Sequence, residues 1–139
     1  MTTQESQLPS TFSRSFLSLG ELSGAEFSSL LDLAETMRKE RHQGKFLHQV
    51  PGSTLALLFE KPSTRTRVSF EVGMFELGGR AVVLDSKELQ ASRGETPEDT
   101  AKALSLFCSA IAARVFSHET LERFASVSSV PVINALSDL

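Results

Sequence analysis

Thr54-Leu55-Ala56-Leu57-Leu58-Phe59-Glu60-Lys61-Pro62-Ser63-Thr64-Arg65-Thr66-Arg67 is the stretch on which the fold turns. Its first six residues form an almost unbroken apolar run, the pattern of a strand covered on both faces in a parallel sheet. Pro62 and Ser63 stop the run, and a helical stretch follows to Gly78-Gly79, which reads as a C-cap. Downstream, Ala81 to Leu84 reads as a second buried strand. Thr96-Pro97-Glu98-Asp99 opens the next helix with a hydroxyl cap, proline at the first helical position and two acids at the positive end of the dipole. Ile111 to Phe116 is a third strand, Ser117 caps a short helix carrying Leu121, Phe124 and Ala125, and Val130 to Ile133 is a fourth strand. Upstream, Ser23-Gly24-Ala25-Glu26 has capping-box spacing. Behind it Phe27, Leu30, Leu31, Ala34 and Met37 recur as an amphipathic helix, which ends near Gly44 after the basic turn of Arg38, Lys39 and Arg41. Residues Met1 to about Gly20 are polar, with Phe12, Phe16 and Leu17 as anchors. Strand and helix alternating in this way predict an α/β fold: a parallel four-stranded sheet with helices on both faces.

The chain has 139 residues, enough for one domain with its own core. Its 14 Lys+Arg against 17 Asp+Glu give a net charge of −3, which argues against a protein that coats nucleic acid. A single cysteine, Cys108, excludes an internal disulfide. His42, His48 and His118 show no metal-ligand spacing, so neither a metal nor a cofactor is expected. No apolar run is long enough to span a bilayer, and the first eighteen residues lack the pattern of a secretory leader. The expectation is an intracellular, cytoplasmic protein with no membrane partner.

Chemistry concentrates where the first strand hands over to a helix. Backbone N–H groups at a helix start carry partial positive charge and favour anions. Ser63, Thr64 and Thr66 add hydroxyls, and Arg65 and Arg67 add guanidinium forks that match phosphate oxygens two at a time. The plainer reading is an ordinary N-cap followed by solvated arginines. Against it, cations at this end of a helix oppose the dipole, and a bound dianion would offset that repulsion. On residue types alone both readings stand.

The run Phe59 to Arg67 resembles the carbamoyl-phosphate loop of the aspartate/ornithine carbamoyltransferases. Arg93-Gly94-Glu95-Thr96 through Asp99-Thr100-Ala101-Lys102 resembles that family's next loop and helix. Ala113-Arg114-Val115 and Val132 to Leu139 resemble its next two strand ends. The resemblance covers nearly everything from about Phe16 onward. Lys61-Pro62 and the run Ala113 to Phe116 suit the ornithine branch. The aspartate branch would carry a lysine in the loop before Gly94 and His-Pro after the arginine, where this chain has Ala91-Ser92-Arg93 and Val115-Phe116.

The resemblance implies roles residue by residue. Ser63, Thr64, Arg65 and Thr66 would hold the phosphate of carbamoyl phosphate. Arg114 would reach both the phosphate and the carbamoyl oxygen, making Arg65 and Arg114 the catalytic pair. Gln90 would reach a neighbouring subunit's site in a homotrimer, and Arg67 would brace the loop against Glu60 or Glu95. It further implies transfer of the carbamoyl group to ornithine, giving citrulline and phosphate for arginine biosynthesis, without metal or cofactor. Residues 1–139 would be the carbamoyl-phosphate-binding domain, and the amine would bind a second domain absent from the chain, so the chain alone would not catalyse transfer. The alternatives are a domain serving aspartate or another amine, and a non-catalytic binding or assembly module. A nucleic-acid surface built on Arg65, Arg67 and Arg80 is disfavoured by the acidic balance.

Overall fold

The computed structural model describes residues 14–45, 49–87 and 94–138. Strands β1 (Thr54–Phe59), β2 (Arg80–Asp85), β3 (Ala110–Ser117) and β4 (Val132–Asp138) form one parallel sheet in the order β2-β1-β3-β4. Helix α1 (Gly24–His42) precedes it, and α2 (Thr64–Glu76), α3 (Pro97–Phe107) and α4 (His118–Val127) connect its strands. The α/β architecture is the one the alternation predicts.

β1 lies inside the sheet and is buried from Leu55 to Phe59, so its residues feed both faces in alternation. Leu55, Leu57, Phe59 and Ala112 meet Phe70 and Met74 of α2. Ala56, Leu58, Ile111, Ala113, Val115 and Val132 meet Ala101 of α3 with Leu121 and Phe124 of α4. Each fully buried side chain of this size contributes about 1.5–3 kcal/mol, so the two layers together fix the sheet. α2 closes as its glycines predict. Gly78 has φ 84°, its N–H donates to Phe75 O, and Gly79 N–H reaches back to Met74 O at 2.9 Å.

Three expectations need correction. The last strand is not Val130 to Ile133 but begins at Val132 and runs on to Asp138. Pro131 has no N–H for the ladder, and Ser128 Oγ occupies both the N–H and the carbonyl of Val130 in a turn. α1 has both halves of its capping box, Glu26 N–H to Ser23 Oγ at 3.2 Å and Ser23 N–H to Glu26 Oε2 at 2.8 Å. Its apolar stripe, however, buries nothing fully, and Phe27 and Leu31 remain exposed. α1 stands across an apolar groove of about 630 Å³, lined by Leu22, Leu30, Phe70, Met74 and Leu77, and meets α2 through Arg41 and Glu76 at 2.8 Å. Finally, Phe16 is more than an anchor. It forms a parallel bridge with Ile133, donating to Val132 O at 2.7 Å and accepting from Asn134 N–H at 2.8 Å.

Two outcomes test this packing. A Cβ at Gly79 would lie 2.8 Å from Ser53 O, a carbonyl already pinned by Arg80 N–H, so Gly79→Ala is expected to cost about 1–3 kcal/mol in denaturant unfolding. Arg123 of α4 grips Glu98 of α3 at 2.6 and 2.8 Å and holds that carboxyl below its ordinary value of 4.5. A lowered folded pKa means the contribution is whole above 4.5 and disappears as pH falls through the lowered value. Glu98→Gln should therefore lower the melting temperature at neutral pH and flatten its decline below pH 4.5.

Candidate anion-binding site

The carboxyl ends of β1 and β3 lie side by side, with Phe59 in register with Arg114. Alternation along β3 sends Ala112 to the face covered by α2, and Arg114, two residues on, leaves the sheet on the same side. α2 begins four residues after β1 ends, capped by Ser63 in an extended conformation. The result is a tight polar cluster. Arg114 Nη1 donates to Ser63 Oγ at 3.1 Å and to Thr66 Oγ1 at 3.0 Å, and Ser63 Oγ donates to Thr66 Oγ1 at 2.9 Å. Thr66 N–H reaches Ser63 Oγ only at 3.4 Å. Arg114 Nε is buried without a hydrogen-bond partner among the described residues. Leaving a buried donor unmet costs about 1–3 kcal/mol, and more on a charged group.

The helix end itself is unusual. α1, α3 and α4 each carry at least one acid in the first turn, as the dipole favours. α2 carries none and has Arg65 and Arg67 there instead. The N–H groups of Thr64 and Arg65 have no carbonyl within the helix to bond. The hydroxyls of Ser63 and Thr66, open N–H groups and the Arg114 guanidinium thus meet with no acid in the first turn of α2. Such a set fits a multiply charged oxyanion.

Two braces beside the motif were not read from the sequence. Glu60 accepts Phe116 N–H at 2.7 Å through Oε2 while its own N–H donates to Arg114 O at 2.8 Å. Lys61 Nζ contacts both oxygens of Asp138 at 2.9 and 3.0 Å and lies 4.6 Å from the centre of the Phe116 ring. Their signal was adjacency to the motif, but their partners lie on strands distant in sequence. Arg67 does not brace against Glu60 or Glu95. It pairs with Glu71 one turn along α2, at 3.1 Å, the i,i+4 partner that its own helix supplies.

Ser63, Thr66 and Arg114 therefore come together. Thr64 and Arg65 are exposed, and beside Ser63 a cavity of about 430 Å³ is lined by Phe59, Pro62, Ser63, Thr64, Arg67 and Asp85, with Arg65, Thr66 and Arg114 outside its lining. Gln90 lies outside the described residues, as does Arg93. The larger apolar groove opens at the amino ends of β1 and β3 and shares no residue with this cluster. Open parallel sheets bind ligands at the carboxyl ends of their strands, so the smaller cavity beside Ser63 and Thr64 is the relevant one. Among the described residues no group of His, Cys, Asp and Glu could hold a metal, and no helix is long and apolar enough to cross a membrane.

Residues 14–139 match the family model described as aspartate/ornithine carbamoyltransferase, carbamoyl-P binding domain. The ornithine carbamoyltransferase of Anoxybacillus flavithermus is 49% identical over 125 residues, covering 90% of this chain and 40% of that protein. That of Methanocorpusculum labreanum is 46% identical over 90% of the chain and 41% of its own length. The chain thus spans about two-fifths of the curated relatives it matches. Among solved structures, ornithine carbamoyltransferase from Pyrococcus furiosus superposes with a TM-score of 0.89 at 45% identity, over 95% of this chain and 42% of that one. Aspartate transcarbamoylase from Trypanosoma cruzi, solved with carbamoyl aspartate and phosphate, reaches 0.83 at 28% identity, over 91% and 39%.

The cluster makes a direct prediction for inorganic phosphate. Replacing Arg114 by Gln removes charged hydrogen bonds of about 1.5–3 kcal/mol, so affinity measured by titration calorimetry should fall about 10- to 100-fold. Arg67→Gln, which loses the exposed pair with Glu71 and one charge in the cavity lining but no hydrogen bond to Ser63 or Thr66, should change it by only about threefold.

Proposed function

Because the chain belongs to the aspartate/ornithine carbamoyltransferase family, we propose that it is the carbamoyl-phosphate-binding domain of an ornithine carbamoyltransferase. The observation that carries this reading is the buried Nε of Arg114, without a partner among the described residues, beside a helix start with no acid in its first turn. Carbamoyl phosphate supplies what the cluster needs, a dianion with a carbonyl oxygen attached.

In the proposed reaction the lone pair of an uncharged amine forms a bond to the carbamoyl carbon. The bond from that carbon to the phosphate oxygen breaks, phosphate leaves with the electron pair, and the proton shed by the amine nitrogen passes to the departing phosphate. Ser63, Thr64 and Thr66 hold the phosphate through hydroxyls and helix N–H groups, and Arg65 closes over it from the exposed side. Arg114 meets the charge that develops on the carbamoyl oxygen and on the leaving group. The work is electrostatic and positional, and one well-placed donor of this kind is worth about 3 kcal/mol of barrier. Gln90, outside the described residues, keeps its proposed reach into a neighbouring site.

Ornithine is favoured over aspartate by the relatives at 46% to 49% identity against 28% for the aspartate enzyme's structure. The reading assigns the amine to residues outside this chain, citrulline formation to arginine synthesis, and the setting to the cytoplasm. Homotrimer formation belongs to the same proposal. It is supported by an exposed apolar row on α2, Val68, Val72 and Phe75, that suits contact with another copy.

Calorimetric titration of the 139-residue chain with carbamoyl phosphate tests the domain's role. Saturable heat at millimolar ligand, lost in Arg114→Gln, is the expected result, together with no citrulline when ornithine is added. Absence of heat at that concentration would leave the fold as a non-catalytic assembly module.

A further inference from the structure

β4 slips against β3 at Arg114. Ala113 pairs with Asn134, but Arg114 pairs with Leu136, so Ala135 is an extra residue in β4. An extra residue in β3 between Arg114 and Ser117 then restores the register, and Ser117 pairs with Asp138. Bulges are rare between parallel strands, and where they occur they re-aim a side chain or bend the strand. Leu136 has φ 138°, the only positive value outside glycine among the described residues. Such a conformation costs about 1–3 kcal/mol and persists only where the surroundings over-determine it. The Leu136 side chain is 52% exposed, so its own burial does not supply the compensation.

Asn134 does. Its Oδ1 accepts Leu136 N–H at 2.9 Å, and its Nδ2 donates to Leu17 O at 2.9 Å and to Ser137 Oγ at 3.1 Å. Its backbone N–H is held by Phe16 O at 2.8 Å, and Ser137 Oγ is fixed in turn by His118 Nδ1 at 2.9 Å. The amide thus takes the one donor that the extra residue removes from the ladder. It also ties the bulge to the N-terminal segment on one side and to α4 on the other. Without that acceptor the N–H of Leu136 would be satisfied by resuming the regular ladder. That ladder would set Ala135 rather than Leu136 opposite Arg114, with Ser117 still opposite Asp138, and so alter the strand that flanks Arg114.

We propose that Asn134 is a positioning residue for Arg114. By holding the Ala135–Leu136 bulge it fixes the direction in which the guanidinium leaves β3 toward Ser63 and Thr66. Only the identity of the anion at that guanidinium rests on the function proposed above. The geometry of Arg114 is independent of it.

The test uses the 139-residue chain and two readouts: the ¹⁵Nε–¹H signal of Arg114, assigned through Arg114→Lys, and the affinity for inorganic phosphate. Asn134→Ala should move the Arg114 signal toward those of exposed arginines and weaken phosphate about tenfold, the loss of a well-aligned charged contact. Asn134→Asp keeps an acceptor for Leu136 N–H but loses both donors. It should lower the melting temperature yet leave the signal in place and affinity within about threefold. Leu136→Gly, which suits a positive φ, should raise the melting temperature with the signal unmoved. Val130→Ala serves as a control for destabilisation alone and should leave both readouts unchanged. An Arg114 signal unmoved by Asn134→Ala, or moved as far by Val130→Ala, overturns the proposal. If the wild-type chain binds no phosphate, the functional reading falls, and the signal alone still decides the role of Asn134.

Discussion

A guanidinium drawn to the positive end of a helix is an electrostatic conflict, and the centre of this fold is arranged to sustain it. Arg114 meets the start of α2 through the hydroxyls of Ser63 and Thr66, at 3.1 and 3.0 Å, which place lone pairs between the cation and the helix N–H groups. Two unit charges 4 Å apart interact by about 4 kcal/mol at an effective dielectric of about 20. A dianion at this point would gain that order of attraction from the guanidinium and more from the dipole. The gain exceeds the roughly 1–3 kcal/mol carried by the unmet Nε donor. The same numbers explain why an acid in the first turn of α2 would be out of place. It would neutralise the site permanently, as Glu98 and Asp99 neutralise the start of α3.

The sheet order makes this meeting possible. Because β3 rather than β4 lies beside β1, the residue in register with Phe59 is Arg114, and one short loop from β1 brings the helix start above it. Glu60 and Lys61 then stitch that loop to the ends of β3 and β4. The exposed ion pair of Lys61 is worth little as stability. Its effect is on direction: with Glu60 it gives the four-residue loop few ways to sit, and the hydroxyls of Ser63 and Thr66 are aimed by that restriction.

Local signals were legible and long-range ones were not. β1, the Ser63 and Thr96 caps and the glycine end of α2 were readable because each rests on residues within one or two turns. Arg114 was readable only through resemblance, since Ala-Arg-Val alone says no more than strand end. The run of Asn134, Ser137 and Asp138 concealed the second half of β4, because those polar groups are spent on partners at Leu17, His118 and Lys61. In α1 the periodicity told which face is apolar but not whether anything lies against it. Phe27 and Leu31 are exposed because α2 covers the sheet on that side and α1 stands beyond the groove.

Departures from local rules are not scattered through the molecule. The arginine-bearing helix start, the positive φ of Leu136 and the paired slips between β3 and β4 all fall at the carboxyl ends of neighbouring strands. At the other end of the sheet the register of β1 with β2 and β3 runs without a shift, and Gly79 fits its close approach to Ser53 O with no side chain to displace. A fold selected for stability alone would remove each departure cheaply, with an acid in α2 or a glycine at 136. Their concentration around one guanidinium means that the strain is coupled: relaxing the end of β4 frees the flank of Arg114, and freeing Arg114 leaves the α2 hydroxyls without their donor. The regular half of the sheet supplies the rigidity that lets the irregular half hold a conformation it would not adopt alone.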